Sequence, residues 1–391
     1  MGIFSKQEEE RELVLVFDIG SSSIGGAVFE IQKSGTPKII KTFREPIILE
    51  DKIDTERFLL LTIKALEIVA SKICMMGVGK MVKIFCVLSS PWYASQTRTI
   101  KLEKNTSFLF TSKLADDLIQ KEIKIFEEEH LVKFLNTDNK IRPIEFKNMK
   151  TMLNGYTTAD PFDKKAKKLE MVVFISMSGD QVLKKMEETI SRHFHSKEIK
   201  FSSFAMASFV VARDMFVQQD NFLLVDIAGE VTDISMIKKD ILSDSISYPL
   251  GYNFIIREVA NNLNCTLNEA KALISLYKDE HAEKATEEKL EPIISKLKTE
   301  WLKGFQQALV NLSEDISIPA TIFITVDKEL ADFFSKIIKT EQFNQYTLTE
   351  SEFQIIFLGA ETLHHIVSFK NDLNRDPFLA IESIYINRFI C

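Results

Sequence analysis

LVLVFDIGSSSIGGAVFEI, residues 13–31, is the stretch from which the rest of the chain can be read. Leu13, Val14, Leu15, Val16 and Phe17 form an unbroken apolar run, the pattern of a strand buried on both faces. The run stops at Asp18; Gly20, Ser21, Ser22 and Ser23 turn the chain, and Ala27–Ile31 forms a second apolar strand. A strand–turn–strand hairpin excludes the Walker loop and the dinucleotide-binding turn, because both pass from a strand into a helix. Small residues let backbone N–H groups converge on an anion, and serine hydroxyls add donors. Asp18, at the strand end, can hold a hydrated metal ion beside a phosphate.

The design recurs at residues 222–232, FLLVDIAGEVT. An apolar strand ends at Asp226, a small-residue turn carries Gly229, and Thr232 leads into a returning strand, Ile234–Ile237. Either hairpin alone reads as an ordinary turn capped by its Asp. Together they predict an internal repeat with a phosphate clamped between its halves. The expected binding set is Asp18, Gly20, Ser21, Ser22 and Ser23 from one half, with Asp226, Gly229 and Thr232 from the other. Asp18 and Asp226 are the candidate metal ligands, and Glu230 would place a like charge near the terminal phosphate.

Composition narrows the class. A chain of 391 residues exceeds one core, so two elaborated domains are expected. The 45% hydrophobic and 27% charged fractions are those of an ordinary globular protein. A net charge of −7 argues against a nucleic-acid footprint, which calls for a basic face. Cys74, Cys86, Cys265 and Cys391 share no CxxC spacing and read as free thiols in a reducing compartment. The opening MGIFSKQEEERE is too polar for a signal peptide, and no apolar run approaches the ~20 residues that span a bilayer.

Between the hairpins, Asp54 is positioned to cap a helix carrying Phe58, Leu61, Ala65 and Ile68. Residues 83–88, KIFCVL, read as a buried strand. The pattern then changes. Thr97–Leu102 alternates like a half-exposed strand, and Thr111 or Ser112 opens an amphipathic helix to about His130. Short strands follow at Ile141–Phe146 and Met149–Asn154. Lys164, Lys165, Lys167 and Lys168 read as a solvated turn, and Leu169–Ser176 returns to buried-strand character. After the second hairpin, Thr266–Glu269 is a capping box, and His281–Leu309 is a charged helix. Ala320–Val326 and Gln354–Leu358 read as strands. Phe378–Ile390 is apolar on all sides, as a buried element would be.

These motifs resemble the actin-like ATPase superfamily, and within it the FtsA family of bacterial division proteins and its pilus relative PilM. LVFDIGSSSIGGAVFE resembles the first phosphate hairpin. FLLVDIAGEVTDISMI and YPLGYNFIIREVANNL resemble the second hairpin and the segment after it. VLSSPWYASQTRTIKLEK resembles the entry into the small SHS2-type inserted domain, and IEFKNMKTMLNGYTTADPFDKKAKKLEMVVFIS its exit. The resemblance implies an α/β, actin-like (ribonuclease H-like) fold with a duplicated sheet. Residues 1–94 and 169–216 would form the first domain, 95–168 the insertion and 217–391 the second domain, with a helical subdomain at about 252–318.

The resemblance further implies ATP with Mg²⁺ between the hairpins, and a cytoplasmic scaffold at the inner face of the cell membrane. That scaffold would link a cytoskeletal polymer to membrane-bound partners in cell division, with PilM-like pilus assembly as the alternative. It would touch the membrane only through a partner and could self-associate. The sequence departs from the family where it matters for nucleotide. Ala228, Glu230 and Val231 replace residues of a Gly-Gly-Gly-Thr-Thr run, and Thr325-Val326-Asp327-Lys328 lacks the glycines expected under an adenosine. ATP binding is therefore expected to be weak and turnover slow, with a small-molecule kinase as the enzymatic alternative.

Overall fold

The computed structural model describes residues 12–32, 35–77, 79, 81–133, 140–194, 198–312, 318–339 and 353–390. The acidic stretch 1–11 and Cys391 lie outside them. β1 (Leu13–Ile19) and β2 (Ser23–Glu30) pair antiparallel as the first hairpin. β3 (Lys38–Pro46) adds antiparallel to β2. α1 (Thr55–Met75) starts where the Asp54 side chain accepts the Arg57 N–H at 2.8 Å, and β4 (Met81–Leu88) then lies parallel to β1.

A separate four-stranded sheet follows. It consists of β5 (Ala94–Phe110), β6 (Ile141–Leu153), β7 (Tyr156–Thr157) and β8 (Lys164–Gly179) in the order β5-β8-β6-β7, with α2 (Ser112–Lys133) packed on it. The Leu114 N–H bonds to Thr111 Oγ1 at 3.2 Å, which makes Thr111 the cap of α2. α3 (Asp180–His193), β9 (Ile199–Ser203) and α4 (Phe204–Met215) complete the first half.

The second half opens with β10 (Phe222–Ile227), β11 (Thr232–Lys238) and β12 (Ile241–Tyr248). The helices α5 (Tyr252–Leu263), α6 (Leu267–Lys278) and α7 (Lys284–Leu312) follow. It ends with β13 (Thr321–Val326), α8 (Ala331–Lys339), β14 (Gln354–Phe357), α9 (Ala360–Leu363), β15 (Ser368–Phe369) and α10 (Pro377–Ile390).

The two main sheets run β15-β3-β2-β1-β4-β9 and β12-β11-β10-β13-β14. β15 adds parallel at the edge of the first; beyond it, two antiparallel pairings are followed by two parallel ones in each, so β3-β2-β1-β4-β9 and β12-β11-β10-β13-β14 are the same five-stranded design. The repeat expected from two hairpins thus extends over whole sheets. Strand alternation explains the unbroken apolar runs. In β1, Leu13, Leu15, Phe17 and Ile19 pack under α1 and α3, while Val14 and Val16 face a core shared with the second sheet. In β10, Leu223, Val225 and Ile227 face α5, α7 and α8, while Phe222 and Leu224 enter that shared core. α4 and α10 fill the space between the sheets, and α10 is buried without a break from Leu379 to Asn387.

Three readings need correction. The lysine cluster at 164–168 is not a turn but the start of β8, where Ala166 points inward between exposed lysines. Residues 169–176 belong to the same strand. They stay in the third sheet, so the expected boundary at residue 168 cuts through β8, and β9 takes the place beside β4. The segments expected at Ile141–Phe146 and Met149–Asn154 are one strand, β6, which ends at Leu153 with Asn154 in the turn, and irregularities near Pro143 and Asn148 mimic a break.

Candidate functional site

Both hairpin turns meet at the line between the halves. Gly229 lies so close to the first turn that a Cβ there would sit 2.7 Å from Ser22 Cβ. The Glu230 N–H donates to Ser21 Oγ at 3.0 Å, joining the turns directly. The Ser22 carbonyl accepts the Ile47 N–H at 2.9 Å, and the Gly20 carbonyl accepts the Trp92 indole N–H at 3.1 Å. Seven of the eight expected binding residues are therefore brought together. Thr232 is the exception: fully buried behind its hairpin, it donates to the Leu250 carbonyl at 2.8 Å and accepts from Trp301 Nε1 at 3.2 Å.

Arg44 stands where the sequence reading placed a metal ion and phosphate. Its Nη2 bonds Asp18 Oδ2 at 2.7 Å, its Nε bonds Asp376 Oδ2 at 2.5 Å, and its Nη1 donates to Ser23 Oγ at 2.8 Å. The Phe378 ring lies 5.5 Å from the guanidinium carbon, within cation–π range. Asp376 is itself fixed, because its other oxygen accepts the Phe378 and Leu379 N–H groups and so caps α10, with Pro377 in the first helical position. What remains between Asp18, the serines, Asp226, Ala228 and Asp327 is a cavity of about 20 Å³. One or two waters fill such a space.

Electrostatics reinforce the closure. Burial pushes the Asp18 carboxyl above its ordinary range, and the Arg44 guanidinium pulls against that shift. Burial, then the charges of Asp233 and Asp18, push Asp226 well above the carboxylate range. Asp226 has no ion-pair partner among the described residues. Burial likewise raises Asp233. Glu382 of α10 is fully buried, and burial followed by the charge of Asp18 drives its carboxyl far up. A Mg²⁺–nucleotide needs room for a phosphate chain and ionised carboxylates facing it. The cavity leaves no room for a phosphate chain and Asp18 is already held by Arg44, so ATP and Mg²⁺ do not fit the cleft as it stands here; Asp18 and Asp226 both line it, one ion-paired and the other raised by burial.

Glu230 also differs from its expected role. Its carboxylate takes both Arg257 nitrogens, Nη1 at 2.6 Å and Nη2 at 2.7 Å, and accepts from Asn253 Nδ2 at 2.7 Å. Arg257 Nε reaches back to the Glu50 carbonyl in the first half at 2.8 Å. The sequence reading missed Arg44, Asp376, Asn253 and Arg257. Asp376-Pro377 carried a helix-start signal, but Arg44 is one charge in an exposed-looking strand until its register is known.

No protein-family model matches the sequence, and no curated protein matches it. Among solved structures, PilM from a PilM–PilN type IV pilus biogenesis complex is similar, with a TM-score of 0.57 and 12% identity over 95% of this chain and 97% of that one. The ethanolamine utilization protein EutJ from Carboxydothermus hydrogenoformans aligns at a TM-score of 0.43 and 9% identity, over 96% of this chain and 90% of its own. A Bacteroides thetaiotaomicron protein described as having an actin-like ATPase fold aligns at 0.39 and 9%, over 98% and 99%. With its duplicated sheets and the cleft between them, and its likeness to PilM over nearly the whole chain, this protein has the actin-like α/β fold.

Proposed function

We propose that this protein is a non-catalytic scaffold that works through protein contacts, using the actin-like fold as a rigid platform. The observation that carries this reading is the closed cleft: the two turns touch, and about 20 Å³ remains where a nucleotide or a kinase substrate would have to lie. Phosphoryl transfer needs a positioned base and room for in-line attack. The acids around the cavity are buried, paired or raised, which argues against the small-molecule kinase alternative.

The partners are assigned to membrane-associated bacterial machinery, pilus-assembly proteins first. The chain-length likeness to PilM, a protein solved in complex with PilN, supports that choice. The division reading rests on the FtsA-like motifs at residues 144–176. Membrane contact through a partner fits a chain in which no described helix is long and apolar enough to cross a bilayer.

Two measurements test the proposal. Phosphate release from Mg-ATP by the purified chain is expected to stay at background. Two-hybrid pairing against pilus inner-membrane proteins and division proteins of the source cell is expected to give a pilus partner. Brisk ATP turnover would overturn the scaffold reading, and pairing with division proteins alone would transfer it to the division machinery.

A further inference from the structure

We infer that Arg44 is a resident internal cation, built into the sheet to occupy the metal-and-phosphate position and to hold the cleft closed without nucleotide. The inference deepens the scaffold reading by removing nucleotide as its switch, and it stands on a separate set of contacts. Asp18 pairs with Gly25 across β1 and β2, and Gly25 pairs with Arg44 across β2 and β3. The three residues form one row over three adjacent strands. Such a row puts the guanidinium on the far side of the middle strand from its carboxylate, and a side chain between them would block it.

Gly25 is the residue between them. A Cβ there would lie 2.8 Å from Arg44 Nη2 and 3.1 Å from Leu379 Cδ2. The glycine opens the passage through which Arg44 reaches Asp18. Beyond Asp18, the fork is completed by Asp376 at the start of α10 and by the Ser23 hydroxyl. Planar guanidinium geometry suits this divided contact, with one edge toward each carboxylate; a lysine ammonium could not satisfy both in the same way. Phe378 closes the remaining side. All three guanidinium nitrogens are thus met by hydrogen-bond partners from β1, β2 and the start of α10, and the side chain stays 25% exposed. An incoming metal–phosphate would have to displace a cation that already neutralises its ligands.

The test is cation rescue. In Arg44→Ala, Asp18 and Asp376 lose their partner and a guanidinium-sized space opens beside them. Melting of Arg44→Ala and of the native chain is followed with additions of guanidinium ion, or of Mg²⁺, at low millimolar concentration. The expected result is a lowered midpoint in the variant that rises with either cation, and a native midpoint that does not move. Gly25→Ala is expected to lower the midpoint as well, without rescue, because the methyl fills the passage.

Calorimetric titration of the native chain with Mg-ATP is expected to show no binding. Saturable binding of Mg-ATP by the native chain, or an Arg44→Ala midpoint insensitive to both cations, would overturn the inference. Should Arg44→Ala not be recovered folded, its refolding yield from urea with and without the cations gives the same reading: restored yield supports it, unchanged yield overturns it. Failure of the scaffold reading alone would show as absent pairing in the partner assay, with the cation rescue and the lack of Mg-ATP binding unchanged.

Discussion

Arg257→Ala should be among the most damaging single substitutions outside the apolar core. The Arg257 and Glu230 side chains are 12% and 7% exposed, and their contact is bidentate at 2.6 and 2.7 Å. Removing the arginine leaves a carboxylate out of water with only Asn253 beside it, and breaking such a buried pair costs about 3–5 kcal/mol. The loss should spread beyond the pair, because the Glu230 N–H holds Ser21 and Arg257 holds the Glu50 carbonyl, both in the first half.

With both halves sharing the loss, the 391 residues unfold as one unit, and at about 2.1 cal/mol/K per residue this corresponds to a fall in melting midpoint of roughly 4–6 °C. The two tryptophans report separately. Trp92 bonds the Gly20 carbonyl in the first turn, and Trp301 lies in the core beneath the second. Urea unfolding followed by fluorescence of Trp92→Phe and Trp301→Phe backgrounds should therefore show the loss at both probes. Adding Glu230→Gln removes the stranded charge, so the double variant should lose less than the sum of the singles, by about 0.5–3 kcal/mol. A shift under ~1 kcal/mol for Arg257→Ala, or strict additivity in the cycle, would show that the pair is water-screened and does not clamp the turns.

The remaining predictions are quickly checked. Asp226, Glu382 and Glu145 are carboxyls raised by burial; Glu145 is held by the Tyr385 hydroxyl and by Ser203. A carboxyl whose folded pKa exceeds its unfolded value contributes stability fully present below the unfolded pKa and lost as pH rises through the folded one. The melting midpoint should accordingly be higher near pH 5–6 than at pH 8, with the difference reduced in Glu382→Gln; a midpoint falling steadily from pH 8 to 5 would contradict the burial argument. Gly251→Ala should prevent normal folding, since its Cβ would lie 2.3 Å from the Gly229 carbonyl oxygen, which is backbone and cannot yield. Soluble Gly251→Ala with an unchanged midpoint would show that the second turn is not packed in this way.

The sequence by itself determined the two hairpins, because apolar runs of five and four residues ending in Asp and a small-residue turn leave the backbone few choices. It also determined the caps at Asp54 and Thr266, where a local side-chain-to-N–H bond needs only neighbours in sequence. The burial expected of Phe378–Ile390 holds from Leu379 to Asn387, where a segment apolar on every side has no stable exposed face, but not at its end, where Phe389 is 47% exposed. Where strands join was not legible. Residues 169–176 are equally apolar in either sheet, and only pairing with β5 and β6 placed them in the third.

The site shows the same division. Local pattern assembled Asp18, the serines, Asp226 and Gly229, but the state of that cluster depends on charges from distant segments. Arg44 comes from the third strand, Asp376 from the start of the last helix, and Arg257 from the helix after the second hairpin. A guanidinium 2.7 Å from a carboxylate and one facing solvent look alike in sequence. Register, set by strand pairing, and the glycine gap at position 25 decide between them, and both are properties of the assembled sheet.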